Sequence, residues 1–221
     1  MSGYVPEIHG NLRKHMVRVP DSINEVSGIR IFGKLIKSLV FTTDVALIKN
    51  CNANAVIAVY PFTPQPAISH AIITVSDIPV FCGVGGGTTT GKRVVNLAMD
   101  AENQGAIGVV VNAPTTNDII RKVRDRIDIP IVITVVSEGT DIAARLDAGA
   151  NIINVSGASK TPDIIRNIRK RFPEIPIIAT GGPSTESIVS TIEAGANAVT
   201  YTPPTSAEIF KQLMVKYRNE L

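Results

Sequence analysis

Short β-branched runs recur along the chain in two alternating series. One follows an acidic residue, an isoleucine and a proline: DIPVFCGVGG from Asp77, DIPIVITVVS from Asp128 and EIPIIATGGP from Glu174. The other comprises ANAVIAVYP from Ala53, GAIGVVVNAP from Gly105, GANIINVSGA from Gly149 and GANAVTYTPP from Gly195. With KSLVFTTD from Lys37, these make eight predicted strands, each followed by a helical stretch such as 116–127, 161–172 or 184–194. The alternation implies parallel strands joined by helical crossovers, with a paired repeat of roughly 45 to 50 residues. Eight such units predict a (β/α)8 TIM barrel, an α/β fold with eight parallel strands, and fit an open doubly wound sheet less well.

Residues 1–36 precede the first strand and read as a short helical extension packing on the barrel. Ser22 and Glu25 have the spacing of a capping box and Gly28 that of a helix stop, so a short helix is predicted to cover the barrel's bottom. His9 and His15 fall in this extension, away from the strand ends, where structural or interface roles are expected. Residues 37–221 contain no linker-like segment and form one barrel domain.

Composition narrows the class. The chain is 44% hydrophobic and 5% aromatic, with a mean hydropathy of +0.21, which excludes a disordered chain. No apolar run reaches membrane-spanning length, and MSGYVPEIHG lacks the basic start and apolar centre of a signal peptide, so a cytoplasmic protein is expected. Cys51 and Cys82 lack metal-site spacing and are expected to be free buried thiols. The net charge is +3, but the densest basic run, RKVRDR at 121–126, is broken by Asp125 and has no interleaved aromatics. A solvated helix face is expected there rather than a nucleic-acid site.

GVGGGTTTGKR, at 83–93, matches the first seven positions of a P-loop through Gly86, Gly91 and Lys92. Arg93 then stands where a Ser or Thr would hold magnesium, and the strand belongs to an eightfold repeat, so nucleotide hydrolysis is not expected. Two readings stay open for the loop. The N–H groups of Gly85, Gly86 and Gly87, with Lys92, Arg93 and the following helix start, cradle an anion, or the glycines serve a mobile lid.

The stretch ATGGPSTESIVSTIEAGANAV, at 179–199, resembles the phosphate-binding end of the ribulose-phosphate-binding type of (β/α)8 barrel, a group that includes histidine-biosynthesis isomerases and thiazole synthase. The resemblance extends to AGANIINVSG in the sixth unit and implies a phosphate held by Gly181 and Gly182, with Ser184 and Thr185 at the next helix start. The eighth strand departs from that pattern: it ends in TPPTS, and prolines supply no N–H donor. Donors from Thr205, Ser206 and Ala207 are the alternative, and a plain tight turn at TGGP is the competing reading.

Aligning the repeats places Asp44, Asn112, Thr134, Asn154, Ser156, Thr180 and Thr202 in the phase that faces the barrel axis, and Cys82 in the opposite phase. Barrel sites lie at the C-terminal strand ends, so Asn112, Thr134, Asn154, Ser156, Thr180 and Thr202 are the candidate substrate-binding residues. Asp44 and Glu138, from opposite strands, are the candidate general base and acid; capping of the helix from Val45 and an ordinary helix-start glutamate are the alternatives. No strand-end Schiff-base lysine, metal-binding histidine cluster or Ser/His/Asp set is present. The expectation is an enzyme of isomerase or lyase type acting on a small phosphorylated or anionic metabolite, without metal or cofactor and without nucleic-acid or membrane partners. The alternatives are a non-catalytic metabolite sensor and a hydrolase that activates water with a carboxylate. Self-association is common among barrels of this size, and no feature of the sequence fixes a number.

Overall fold

The computed structural model describes residues 4, 6–8, 10, 11, 15–182 and 184–219; His9 lies outside them, and His15 is exposed. Where a capped helix is expected, a five-residue 3-10 turn, Asp21–Glu25, forms instead. Pro20 sits at its cap position with no side-chain cap bond, and Ser22 Oγ is buried without a partner. The capping box of Ser22 and Glu25 therefore does not form. Val19, Ile23 and Val26 are all drawn into the core, and that packing outweighs the local capping signal.

A hairpin follows, β1 (Ile29–Ile31) and β2 (Lys34–Ile36), antiparallel. Its turn residues Phe32 and Gly33 have φ of 45° and 81°, the two left-handed positions that a hairpin turn matching strand twist needs. Ile29, Ile31 and Ile36 pack with Leu39, Ile57 and Phe81 of the barrel interior. The hairpin, rather than a helix, thus plugs the bottom.

The barrel closes through eight parallel strands, β3 (Ser38–Phe41), β4 (Ala55–Ala58), β5 (Val80–Gly85), β6 (Gly108–Val111), β7 (Ile131–Val135), β8 (Ile152–Val155), β9 (Ile177–Thr180) and β10 (Ala198–Tyr201). Their order round the barrel is the chain order, with β10 beside β3. The helices are α1 (Val45–Lys49), α2 (Pro66–Val75), α3 (Lys92–Asn103), α4 (Asn117–Arg124), α5 (Ile142–Asp147), α6 (Thr161–Arg171), α7 (Thr185–Glu193) and α8 (Ser206–Asn219). This is the (β/α)8 barrel that the repeats predict.

The second repeat series also has a structural meaning. Asn54 accepts from the N–H groups of Lys37 and Ser38, Asn151 from Ile131 and Asn197 from Ile177. In each case the asparagine before one strand satisfies a first donor of its neighbour, tying adjacent strands at the bottom.

Successive strand residues alternate between the interior and the outer layer beneath the helices. Cys82 lies in the outer layer at 1% exposure. Burial pushes its thiol up to about 11, against a hydrogen bond with Ser69. Cys51 is only half-buried, so one of the two thiols departs from the expected burial. Among the described residues, no helix is long and apolar enough to cross a membrane.

Candidate functional site

Above the apolar plug, the C-terminal strand ends enclose a cavity of about 260 Å3. All six candidate substrate-binding residues, Asn112, Thr134, Asn154, Ser156, Thr180 and Thr202, line it. Phe41, Ile57, Val59 and Val110 supply the apolar wall. Thr200 joins the ring, a residue not named from the sequence although it stands two positions before Thr202 and therefore shares its phase. None of the lining residues is ionisable.

Two oxygens in this wall lack partners. Asn154, 8% exposed, donates through Nδ2 to Thr134 Oγ1 at 3.3 Å, leaving its Oδ1 unbonded; Thr200, 5% exposed, has an unbonded Oγ1. A buried polar atom without a hydrogen bond is destabilising by about 1–3 kcal/mol. Both residues line the same cavity, Asn154 from strand β8 and Thr200 from strand β10.

The two carboxylates stand outside this cavity. Asp44 caps α1: its Oδ1 accepts from the N–H groups of Ala46 at 2.8 Å and Leu47 at 3.3 Å, while Oδ2 accepts from Ser206 Oγ at the start of α8. The Ser206 bond, helped by the two backbone donors and opposed by partial burial, holds the carboxyl below its usual range. Glu138 is exposed and borders a separate hollow of about 60 Å3 with Ile164 and Phe172. The structure therefore does not bring the two carboxylates together at the mouth.

At the strand-seven turn, two of the donors that a phosphate would use are engaged within the chain. The N–H of Gly181 donates to Thr200 O at 3.1 Å. That of Ser184 donates to Ser187 Oγ, and the N–H of Ser187 donates back to Ser184 Oγ, a capping box on α7. A side chain at Gly181 would strike Val199 and Ile188, and one at Gly182, where φ is 75°, would strike Ser187, so helix packing is enough to require both glycines. Thr185 is exposed. Glu186, on the same first turn, has its carboxyl held low by its own N–H and by Ser184. At the α8 start the carboxylate of Glu208 accepts from the N–H and Oγ1 of Thr205, each at 2.8 Å, and both bonds hold it low. Carboxylates thus occupy both helix starts at this end of the mouth.

The glycine loop opens a second space. A cleft of about 230 Å3 lies between the loop after β4 (Tyr60, Pro61, Phe62) and Gly83, Gly85, Gly87 and Thr89. It shares Val59, Val110 and Asn112 with the mouth, so the two lie side by side. Gly86 has φ of 102°, and a side chain there would lie 2.4 Å from Thr115 Oγ1 and 2.7 Å from the N of Asn112. Only glycine fits that turn. Arg93 and Lys92 are exposed at the start of α3. Among the described residues, no group of three or more His, Cys, Asp or Glu side chains is placed to hold a metal ion.

No family model matches the chain, and no curated protein does. Solved structures match it in fold. A protein from Burkholderia cenocepacia J2315, provisionally assigned as a phosphonomutase, is 18% identical, with 86% of this chain and 96% of that one covered at a TM-score of 0.65. A phosphonopyruvate hydrolase in complex with oxalate and Mg2+ is 14% identical, covering 86% and 84% at 0.65. A 2,3-dimethylmalate lyase of the PEP mutase/isocitrate lyase superfamily is 15% identical, covering 95% and 85% at 0.62. At these identities the likeness is one of fold: the chain is a (β/α)8 barrel protein with a polar-lined cavity at the C-terminal mouth.

Proposed function

We propose that the chain binds a small metabolite at the barrel mouth through hydrogen bonds rather than ion pairs, the part of the ligand lodged there being uncharged. One observation carries this reading: a cavity without ionisable groups holds two buried, unpartnered oxygens, Asn154 Oδ1 and Thr200 Oγ1. An uncharged ligand with hydroxyl or amide groups meets such a wall without stranding a charge in it. This binding serves the sensor reading directly.

Catalysis of isomerase or lyase type, with Asp44 as general base, is the second reading. It is favoured by the position of Asp44, three residues beyond Phe41 of the cavity wall, and by the mutase and lyase named among barrels of like fold. The Ser206 bond that holds the carboxyl below its usual range favours the ionised form that a base must have, and by the same effect makes it a weaker base.

The test is a thermal-shift screen of neutral polyols, amides and hydroxy compounds alongside their phosphorylated counterparts, on the parent protein and on Asn154→Leu. A stabilising compound whose shift is lost in Asn154→Leu supports the mouth site, and a screen in which every stabilising neutral compound acts equally on both proteins overturns it. Any hit is then assayed for turnover with Asp44→Asn, which keeps a capping acceptor. Loss of turnover with binding retained supports the base, and unchanged turnover removes it.

A further inference from the structure

We infer that the chain holds a second ligand site, for an oxyanion such as a phosphate or carboxylate group, in the hollow between the glycine loop after β5 and the loop after β6. The hollow encloses about 200 Å3 and shares no lining residue with the mouth cavity. The inference therefore stands or falls separately from the reading of the mouth.

The N-terminus of α3 borders it. Gly91 occupies the cap position with φ of 62° and no side chain, so the first-turn N–H groups of this twelve-residue helix have no side-chain cap. Such an end carries a partial positive charge and donors without a side-chain partner, the N–H of Val94 turning back to Gly91 O at 3.1 Å. Lys92 and Arg93 extend from the same turn, both exposed, and neither forms a salt bridge with a described residue.

The independent observation is a pair of hydroxyls. Thr89 and Thr115, each 4% exposed, line the hollow, and the Oγ1 of each is buried without a hydrogen-bond partner. Thr115 Oγ1 stands over Gly86, where any side chain would exclude it. Arg145 fixes the second wall, donating to the carbonyls of Thr115 and Ala113 and to Asn117 Oδ1. Two donor hydroxyls on opposite loops, held by a turn that admits only glycine and set beside an uncapped helix start, match the needs of an oxyanion. Magnesium-nucleotide chemistry is not implied, since Arg93 stands in the P-loop's Ser/Thr position.

The location also answers an electrostatic problem. Asp44, Glu186 and Glu208 crowd the helix starts after β3, β9 and β10, which repels an anion there. The opposite rim, at α3, carries Lys92 and Arg93. Thr89 borders both the hollow and the cleft beside the mouth, so the cationic rim lies next to the neutral cavity.

The test uses inorganic phosphate at constant ionic strength, with chloride as the control. Phosphorus NMR line broadening and thermal shift are measured on the parent protein and on Thr89→Val, Thr115→Val and their combination. Phosphate is expected to bind the parent and to lose affinity by about tenfold or more for each hydroxyl removed, since hydrogen bonds to charged groups are the stronger kind. The variants should be at least as stable as the parent without phosphate, because each replaces an unpartnered hydroxyl by a methyl group. Asn154→Leu should bind phosphate normally. Absence of phosphate-specific binding to the parent, or unchanged affinity in the folded double variant, would overturn the assignment. A large loss of stability in both single variants would overturn it too, by showing the hydroxyls to be structural.

Discussion

Thr200→Val puts the reasoning about the mouth under direct strain, because it predicts a gain in stability together with a loss of function. In the parent, the Oγ1 of Thr200 is buried at 5% residue exposure with no acceptor or donor within reach. Valine has the same shape, suits a strand and replaces the hydroxyl by a methyl group, so the penalty of about 1–3 kcal/mol for the stranded oxygen is removed. For a chain of this size each kcal/mol moves the melting temperature by about 2–4 °C. Calorimetric melts without ligand should therefore show a rise of at least about 2 °C. With a mouth ligand at a hundred times its dissociation constant, the parent gains about 2.7 kcal/mol. A tenfold weaker variant gains only about 1.4 kcal/mol under the same conditions, so the ligand-induced shift should fall by about half. A lower melting temperature for the unliganded variant would refute the argument, since it would mean that the hydroxyl is already satisfied in the folded protein.

Two further expectations follow from groups outside the cavity. Asp44→Ala should destabilise the fold by about 0.5–2 kcal/mol through loss of the α1 cap. Because the folded pKa of Asp44 lies below its unfolded value of about 3.9, its ionised-state stabilisation is present above that pH and lost as pH falls through the folded value. The stability gap between parent and Asp44→Ala, followed by melts from pH 6 to pH 2, should narrow only at the acid end; a gap that closes near neutrality would contradict the Ser206-linked cap. A thiol reagent at pH 8 should modify Cys51 and leave Cys82, whose pKa is near 11, until the protein unfolds. Rapid reaction of both thiols in the native state would show that the α2–β5 contact opens.

The barrel was legible because its repeats are long-range and redundant: eight apolar runs at regular spacing admit few topologies, and alignment of the repeats with period-two alternation picked out seven residues, of which Asn112, Thr134, Asn154, Ser156, Thr180 and Thr202 line one cavity and Asp44 lies outside it. The hairpin was not legible. Its strands are three residues each, and Ile29, Ile31 and Ile36 gain meaning only when the barrel floor above them exists. Capping signals had different outcomes at two positions. At Ser22 a capping signal was overridden by packing of Val19, Ile23 and Val26, whereas at Asp44 a residue weighed for chemistry serves as a cap. Whether a carboxylate caps a helix or faces a substrate depends on about one turn of chain direction, which residue spacing does not resolve. The cleft behind Tyr60 and Phe62 was missed for a related reason: a proline-rich loop carries no periodicity from which to read a facing.

The distribution of charge round the rim constrains any account of what this barrel does. A phosphate that used the N–H groups of Gly181 and Ser184 at the turn after β9 would displace the bond from Gly181 to Thr200, break the Ser184–Ser187 cap and sit beside Glu186 and Glu208. Each demand runs against an interaction already made. At α3 the N–H groups of Gly86 and Val94 are also engaged, with Thr89 O and Gly91 O, but the helix start has no side-chain cap, the neighbouring side chains are cationic and two buried hydroxyls lack partners. The neutral mouth and the cleft lie between these two rims. A ligand that used the whole surface would therefore be polar but uncharged at β8 and β10, apolar or planar against Tyr60 and Phe62, and anionic only at its far end. Fragments of that molecule should bind additively: a neutral hydroxyl compound at the mouth and inorganic phosphate at α3 should occupy the barrel together. Competition between the two in a titration would mean that the spaces are one site and that the separation argued from their linings is wrong.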